Sequence, residues 1–466
     1  MPEALAIEEI DRRLVSVLPP GSLYAVGGRV RDEVRSSLDG IPRPAKDLDY
    51  VVTGVGLDEL VERLGRIGRA DVVGSSFAVV KCTLDGVQVD VALPRREHST
   101  GVGHRDFAVE WGPDIRLEDD LGRRDFRMNM MARALPDGRL VDPYGGEADV
   151  AARRIDVLRP AAFEEDPLRM LRACQFAARF GFSLTPLTLE AMRAAAPLVA
   201  SVSPERIRDE LVKLLERADR PSVGIELMRE GRLLPIVLPE VAEGVGVEQN
   251  RYHAYDVYLH SLVTLDAAPA SDLVVRLAAL LHDVGKPRTK TVEAGEAHFY
   301  RHEAVGEAMA RGALERLRFP ADVVDEVSRL VLNHMYTADP GQEPKTIRRF
   351  VRRVGADLLE RQFALREADI AGSGLPRRGD ANERFEDRVR AVMGELPPLN
   401  VRDLAIGGDE IIDILVEAGA LPRGSRGGPQ VGRLLAALLE AVLDAPEHNT
   451  RDRLLALARS LAAAPR

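Results

Sequence analysis

Between residues 23 and 93 the apolar positions come in short runs: LYAVGG, LDYVVTG, FAVVKCTLDG and VQVDVAL. Each is too brief for a helix and rich in the β-branched residues that suit strands. FAVVKCTL and VQVDVAL are joined by Asp-Gly, which fits the positive backbone angles of a tight turn, so they predict an antiparallel hairpin. After about residue 150 the strand signals stop. From FEEDPLRMLRACQFAARF onward apolar residues recur three and four apart; Leu168, Leu171, Phe176, Ala177 and Phe180 can share one helical stripe. Helical patterning continues almost to Arg466, with Gly and Pro marking breaks at 181–186, 235–250, 373–380 and 422–430. No fixed-period repeat is visible. The pattern predicts an N-terminal α/β head, a helical neck, a helical middle domain and a helical tail.

Length agrees: 466 residues at roughly 150 per domain suggest about three domains. A hydrophobic fraction of 45% beside 30% charged residues fits a globular chain with a sizeable core. The net charge of −10 argues against a uniformly basic nucleic-acid coat but leaves room for a local basic groove. Cys82 and Cys174 are too few for a disulfide framework or a cysteine zinc site. The start, MPEALAIEEIDRR, lacks a signal-peptide core, and no run of about 18 apolar residues suggests a membrane span. A soluble, reduced, cytoplasmic protein is the expectation.

The candidate chemistry begins in YAVGGRVRDEVRSSL, a strand, a Gly27-Gly28 turn and a helix. Such glycines let the backbone approach a ligand, and helix N-terminal amides favour an anion such as a triphosphate. Arg31 lies one turn into the helix. By itself this is an ordinary turn. In AKDLDYVVTG, however, Asp47 and Asp49 stand two apart on a strand and point to one face. Paired carboxylates repel unless a cation neutralises them, and Mg²⁺, which favours carboxylates and substrate phosphates, is the natural partner. Asp90 in VQVDVAL is a further candidate from a neighbouring strand, or else an ordinary solvent-facing aspartate. A glycine turn followed by Asp-x-Asp is the layout of nucleotidyl transfer, in which metal ions activate the attacking hydroxyl and stabilise the leaving pyrophosphate.

These residues carry a family resemblance. GGRVRD (27–32) with DLD (47–49), RRDFRMN (123–129), DPYGGEAD (142–149), EEDPLRMLR (164–172) and SPERIRDEL (203–211) resemble, in order, the five motifs of class II tRNA nucleotidyltransferases, the family of CCA-adding enzymes and poly(A) polymerases. The segments LAIGGDEII, GGPQVGRLL and NTRDRLLALA extend the resemblance through the tail. It implies a polymerase-β-like nucleotidyltransferase head over 1–143 and a helical neck over 144–245. An HD phosphohydrolase domain over 246–380 and a tRNA-binding helical tail over 381–466 complete the implied order. Asp47 and Asp49 are implied as catalytic Mg²⁺ ligands. Gly27, Gly28, Arg31, Arg123, Arg124, Asp125 and Asn129 are implied to hold the nucleotide. Asp166, Arg169 and Arg172 are implied as an amino-acid template selecting the base, supported by Glu165, Glu205 and Arg206. At helical spacing Asp166, Arg169 and Arg172 can share a face, where a carboxylate acceptor beside guanidinium donors can pair with a base edge; an intrahelical Asp166–Arg169 ion pair is the ordinary alternative. The second motif departs from the family's usual Thr and Asn-Ala at Arg127 and Met130. Gln175 stands where a basic residue is common.

Most of the nine histidines lie between His253 and His334, in helix-like runs. Imidazole and carboxylate donors together suit Mn, Fe, Ni, Zn or Mg. His260, His282-Asp283 and Asp369 resemble the H…HD…D pattern of HD phosphohydrolases, with His302 and His334 as additional ligands. That implies hydrolysis of a phosphoester, such as a 2′,3′-cyclic or terminal phosphate on RNA, with an unidentified divalent metal.

Arg348, Arg349, Arg352 and Arg353 form a helical basic row that suits a phosphate backbone or an ordinary solvated face. The resulting expectation is template-independent addition of C, C and A to the tRNA 3′ end from CTP and ATP, with tRNA as partner, no membrane, and the oligomeric state left open. The rivals are A-adding or CC-adding enzymes, a poly(A) polymerase, and a catalytically decayed RNA-binding protein. In the family that the chain resembles, a long charged loop at this place accompanies addition of the final A and a shortened one CC-only addition, so the segment 94–120 disfavours CC-only addition. The arginine-rich stretch typical of poly(A) polymerases is not found.

Overall fold

The computed structural model describes residues 7–43, 48–73, 78–99, 107–250, 254–376, 379–395 and 397–463. Among them the chain forms two compact units, Met1–Ala242 with Arg316–Phe319, and Glu243–Glu315 with Pro320–Arg466.

The first unit opens with strands β1 (Leu23–Val26), β2 (Asp49–Val52), β3 (Arg69–Val73), β4 (Val79–Leu84), β5 (Val87–Ala92), β6 (Arg95–Ser99), β7 (Phe107–Trp111), β8 (Ala132–Ala134) and β9 (Leu140–Val141). Seven of them build a mixed sheet in the order β3-β4-β5-β2-β1-β8-β9, while β6 and β7 pair as a separate hairpin inside the charged segment. The Asp-Gly hairpin forms as the sequence predicts: Asp85 and Gly86 both take positive φ, the geometry that matches the twist of the β4–β5 pair. Among the described residues of that sheet, β2 and β5 are the parallel pair, in a register that sets Asp49 beside Asp90. Val26, Val51, Leu121, Met130 and Ala132 form one buried cluster. Met130 therefore serves the head core.

Beyond the head, the helix Leu168–Phe180 packs against Pro204–Arg217 and Pro221–Glu230. Its apolar stripe buries Leu168, Leu171, Phe176 and Ala177. Strands do occur past residue 150, against expectation. Arg154–Ile155 pairs with Ser183–Leu184, and Lys290–Glu293 forms a hairpin with Glu296–Phe299. These runs (KTVE, EAHF) are short and mostly polar, so the alternation that reveals a strand is missing. In the second unit Val257–Ala267, Leu273–Leu281, Ala321–Asn333 and Leu359–Gly372 pack together. No helix among the described residues is long and apolar enough to cross a membrane.

The basic row on Pro344–Val354 is partly engaged in packing, while Arg349, Arg352 and Arg353 stay exposed. Arg348 is buried and donates through Nε to the Leu443 carbonyl at 2.6 Å and through Nη2 to that of Asp444 at 3.1 Å. These carbonyls end the helix Pro429–Asp444, where terminal C=O groups lack intrahelical partners. Arg349 and Arg352 both pair with Glu440 of that helix. Three of the four arginines thus join two helices.

Candidate functional site

Gly27 starts the helix Gly28–Asp39 with φ +75°, a conformation that costs other residues energy. Space demands glycine as well: a Cβ there would stand 3.3 Å from Arg124 Nη1 and 3.6 Å from Asp49 Oδ2. A strand carboxylate, a guanidinium and a helix N-terminus therefore converge on this turn. Asp47, the predicted companion of Asp49, lies outside the described residues. Asp90, next to Asp49 across the strands, has Lys81 Nζ at 3.9 Å.

A cleft of about 880 Å³ opens from the turn, within the roughly 300–1,000 Å³ usual for small-ligand sites. Gly27, Gly28, Arg31, Asp49, Arg123, Arg124, Asp125, Asn129, Asp166, Arg169, Arg172 and Arg206 all line it. On the head side, the buried Asp120 holds Arg123 Nη2 at 2.8 Å and Arg124 Nη2 at 3.2 Å. Burial pushes the Asp120 carboxyl up, but the two guanidiniums keep it below the usual range. Asp125 Oδ1 accepts from the Phe126 N–H and from Asn129 Nδ2, while Oδ2 accepts from Arg172 Nε at 3.0 Å and Nη2 at 2.7 Å. Here too burial opposes the charge and is outweighed, chiefly by Arg172, so Asp125 stays ionised below its ordinary value. Arg31 Nη1 donates to Asn129 Oδ1 at 2.9 Å.

On the neck side the template residues are arranged differently from the predicted single helical face. Asp166 has φ −141° and closes the short helix Ala162–Glu165; the next helix begins after Pro167. A residue preceding proline is driven out of the α region, so Asp166 and Arg169 do not share a helix. Asp166 instead accepts from Arg206 Nη2 at 3.3 Å, and Arg169 Nη2 donates to the Arg123 carbonyl at 2.6 Å. Glu165 lies outside the cleft lining, pairs with Arg159 at 2.8 Å and stands 3.6 Å from Arg169 Nη1. Glu205 is exposed and does not line the cleft either.

Several lining residues were missed. Glu210 is buried, 3.7 Å from Arg172 Nη1, and accepts from Lys213 Nζ at 2.8 Å. The ring of Phe180 receives the guanidiniums of Arg31 at 4.6 Å and Arg35 at 4.2 Å, the geometry of cation–π contact. The spacing of Arg206, Glu210, Lys213 and Arg217 at four, three and four was the available signal, since it puts all four on one helical face.

A second constellation lies in the second unit. His260 Nδ1 faces the Gly372 carbonyl at 3.0 Å, His282 Nδ1 that of Ala279 at 2.9 Å, His302 Nδ1 that of Phe299 at 2.8 Å, and His334 Nδ1 that of Val331 at 2.6 Å. A carbonyl can only accept, so each Nδ1 carries a proton, and a ring in its neutral form turns an Nε2 lone pair inward. The Nε2 atoms meet in pairs: His260 and His282 at 3.1 Å, His302 and His334 at 3.2 Å. Facing lone pairs at that distance repel unless a cation or proton sits between them. Asp283 stands between the pairs, Oδ2 at 3.4 Å from His260 and 3.2 Å from His282, Oδ1 at 3.4 Å from His302 and 3.6 Å from His334. Asp369 Oδ1 adds a contact to His260 at 3.2 Å. Lys286 Nζ lies 2.6 Å from Asp283 Oδ2, yet both Asp283 oxygens are buried without a directed hydrogen bond. Burial would raise the Asp283 carboxyl; His282 and Lys286 hold it well below the usual range instead. Such donors, buried and turned inward, fit divalent metal ions. His253 lies outside the described residues.

Residues 23–156 match the family described as "Poly A polymerase head domain", 181–244 "Probable RNA and SrmB- binding site of polymerase A" and 251–370 "HD domain". The chain is 37% identical to the "Multifunctional CCA protein" of Azoarcus sp. (strain BH72), a match covering 90% of this chain and 96% of that one. It is 35% identical to the "A-adding tRNA nucleotidyltransferase" of Deinococcus radiodurans, with 91% and 92% covered. In fold it is similar to the Bacillus stearothermophilus CCA-adding enzyme solved in complex with CTP, with a TM-score of 0.67, 23% identity and 98% of each chain covered.

Proposed function

Because the chain belongs to the class II tRNA nucleotidyltransferases, the family of CCA-adding enzymes and poly(A) polymerases, we propose that its cleft adds C, C and A to the tRNA 3′ end, using CTP and ATP. The observation that carries this is the opposition of Asp49, Arg124 and the Gly27 turn on one wall to Asp166, Arg169 and Arg172 on the other. The terminal tRNA hydroxyl attacks the α-phosphorus of the nucleotide, a new phosphodiester forms, the α–β bond breaks, and pyrophosphate departs while the hydroxyl proton passes to solvent. Mg²⁺ held by Asp47 and Asp49 would polarise the attacking hydroxyl and neutralise the leaving phosphates. Arg124 and the amides after Gly27 supply fixed positive charge to the triphosphate. Asp166 and Arg169 present an acceptor and a donor to the base edge, with Arg206 and the Arg123 carbonyl holding them in place.

For the second unit the reading is metal-dependent hydrolysis of a phosphate at an RNA end. His260, His282, Asp283 and Asp369 would hold a divalent metal there, with His302 and His334 as further donors, and it would supply an activated water and charge to the phosphate. Such a site would trim tRNA ends for the head in the cytoplasm. In this reading the chain divides at 143, 245 and 380 into head, neck, HD domain and tail.

The test is incorporation of labelled CTP and ATP into tRNAs lacking CCA, CA or A. We expect all three to be completed. Extension of the last substrate alone would make this an A-adding enzyme like the Deinococcus relative, and long A tracts would make it a poly(A) polymerase.

A further inference from the structure

The turn Arg127–Asn129 has two faces. One serves the cleft: Asp125, two residues before Arg127, holds Arg172, and Asn129, two residues after it, holds Arg31. The other meets the segment that leads into the neck. There Arg127 Nη2 donates to Asp149 Oδ1 at 3.1 Å, and Nε lies 3.0 Å from Asp149 Oδ2, off the hydrogen-bond line. Arg127 Nη1 donates to Asp156 Oδ2 at 3.2 Å, and its backbone N–H donates to the Asp156 carbonyl at 3.0 Å. Asp149 is fully buried and also accepts from Arg154 Nε at 2.6 Å. Asp156 Oδ1 takes the hydroxyls of Thr185 at 2.6 Å and Thr188 at 3.1 Å.

One guanidinium therefore ties the turn to two carboxylates from successive segments of the chain. The backbone is fitted to the same joint. Gly145, at φ +76°, would carry a Cβ 3.4 Å from Arg127 Nη2, and a Cβ on Gly146 would collide with the Arg127 carbonyl oxygen. Two arginines and two aspartates leave the cluster balanced in charge. Only a planar fork with several donors can bridge both carboxylates at once; a lysine or a hydroxyl reaches one.

We infer that Arg127 is a positioning residue for nucleotide selection, a conclusion that rests on the nucleotidyl-transfer reading. Arg127 is not among the residues that line the cleft. It fixes the wall bearing Asp125 and Asn129 at one angle to the neck that bears Asp166, Arg169 and Arg172. Discrimination between base edges depends on where donors and acceptors sit, so a small rotation at this joint changes selectivity as well as rate.

The experiment compares wild type, Arg127→Ala, Arg127→Lys and Asp149→Asn by kcat and KM for each nucleotide on truncated tRNA, with thermal melts alongside. We expect Arg127→Ala to lower kcat/KM for the preferred nucleotide at least tenfold and to shift its ratio to the nearest competitor at least threefold. Arg127→Lys should recover part of both. Asp149→Asn should shift the ratio in the same direction, and the Arg127→Ala, Asp149→Asn pair should cost no more than Arg127→Ala alone, because both break one joint. If the alanine variant does not fold, the lysine variant must show the ratio shift by itself. Losses equal for all nucleotides, or an unchanged ratio in folded variants, overturn the inference. A wild-type protein that incorporates nothing overturns the nucleotidyltransferase reading instead.

Discussion

Asp125 is a buried carboxylate charged on one oxygen by Arg172 and hydrogen-bonded on the other by Asn129 and the Phe126 N–H. Its folded value is lowered, so the sign follows. The stability it contributes is complete above the unfolded carboxyl value of about 3.9 and is lost as pH falls through the lower folded value. Asp125→Asn should remove that contribution, and acid unfolding followed by circular dichroism should become shallower below about pH 4. At neutral pH the change leaves Arg172 without its charged partner, and unpairing a buried charge costs on the order of 3–5 kcal/mol, discounted here because Arg172 keeps Glu210 nearby and is one-third exposed. A neutral-pH urea midpoint equal to wild type would sink this account. Residue types were legible at this scale and partners were not. Asp166 and Arg169 stand three apart in sequence, but Pro167 breaks the helix between them, and each is held by a segment remote in the chain. Glu205 was expected to support the template, yet the buried carboxylate beneath Arg172 is Glu210, one and a half turns further along the same helix.

Elements show the same division. Helical periodicity identified the helix Leu168–Phe180, and the Asp-Gly turn identified the β4–β5 hairpin, because both signals lie within a few residues. The hairpin at 290–299 carries no such alternation and escaped. The arginine row at 348–353 shows what periodicity omits: it says which residues share a face, not what covers the face. Since Arg348 satisfies the carbonyls that end Pro429–Asp444, Arg348→Ala should destabilise the second unit by about 1–3 kcal/mol, read as a lower urea midpoint. Arg352→Ala, at a half-exposed pair, should cost under ~1 kcal/mol. Neither should change the salt dependence of tRNA binding, which counts phosphate contacts. A stable Arg348→Ala protein with a reduced salt slope would return the row to RNA binding.

For the whole molecule, the two constellations fall in separate compact units, and no residue of either is shared. His282→Ala combined with Asp283→Ala should therefore abolish metal-dependent hydrolysis of 2′,3′-cyclic phosphates and the rise in melting temperature on adding metal, while CCA addition to a tRNA with a free 3′ hydroxyl stays within threefold of wild type. Hydrolysis that survives in a folded variant would make the histidine cluster structural. The sequence alone determined the order of the units, the glycine turn with its strand carboxylate, the β4–β5 hairpin and the residue types gathered in each cluster, since each is a local pattern of spacing and side-chain chemistry. Tertiary structure decided the rest. It set which oxygen faces which nitrogen around Asp283, it replaced the expected shared helical face of Asp166 and Arg169 with separate longer-range contacts, and it buried Met130 in the head core. It also turned Arg127 from a departure in a motif into a joint between head and neck. Those outcomes depend on contacts between residues tens of positions apart, and a linear pattern carries the identity of such residues without their distance.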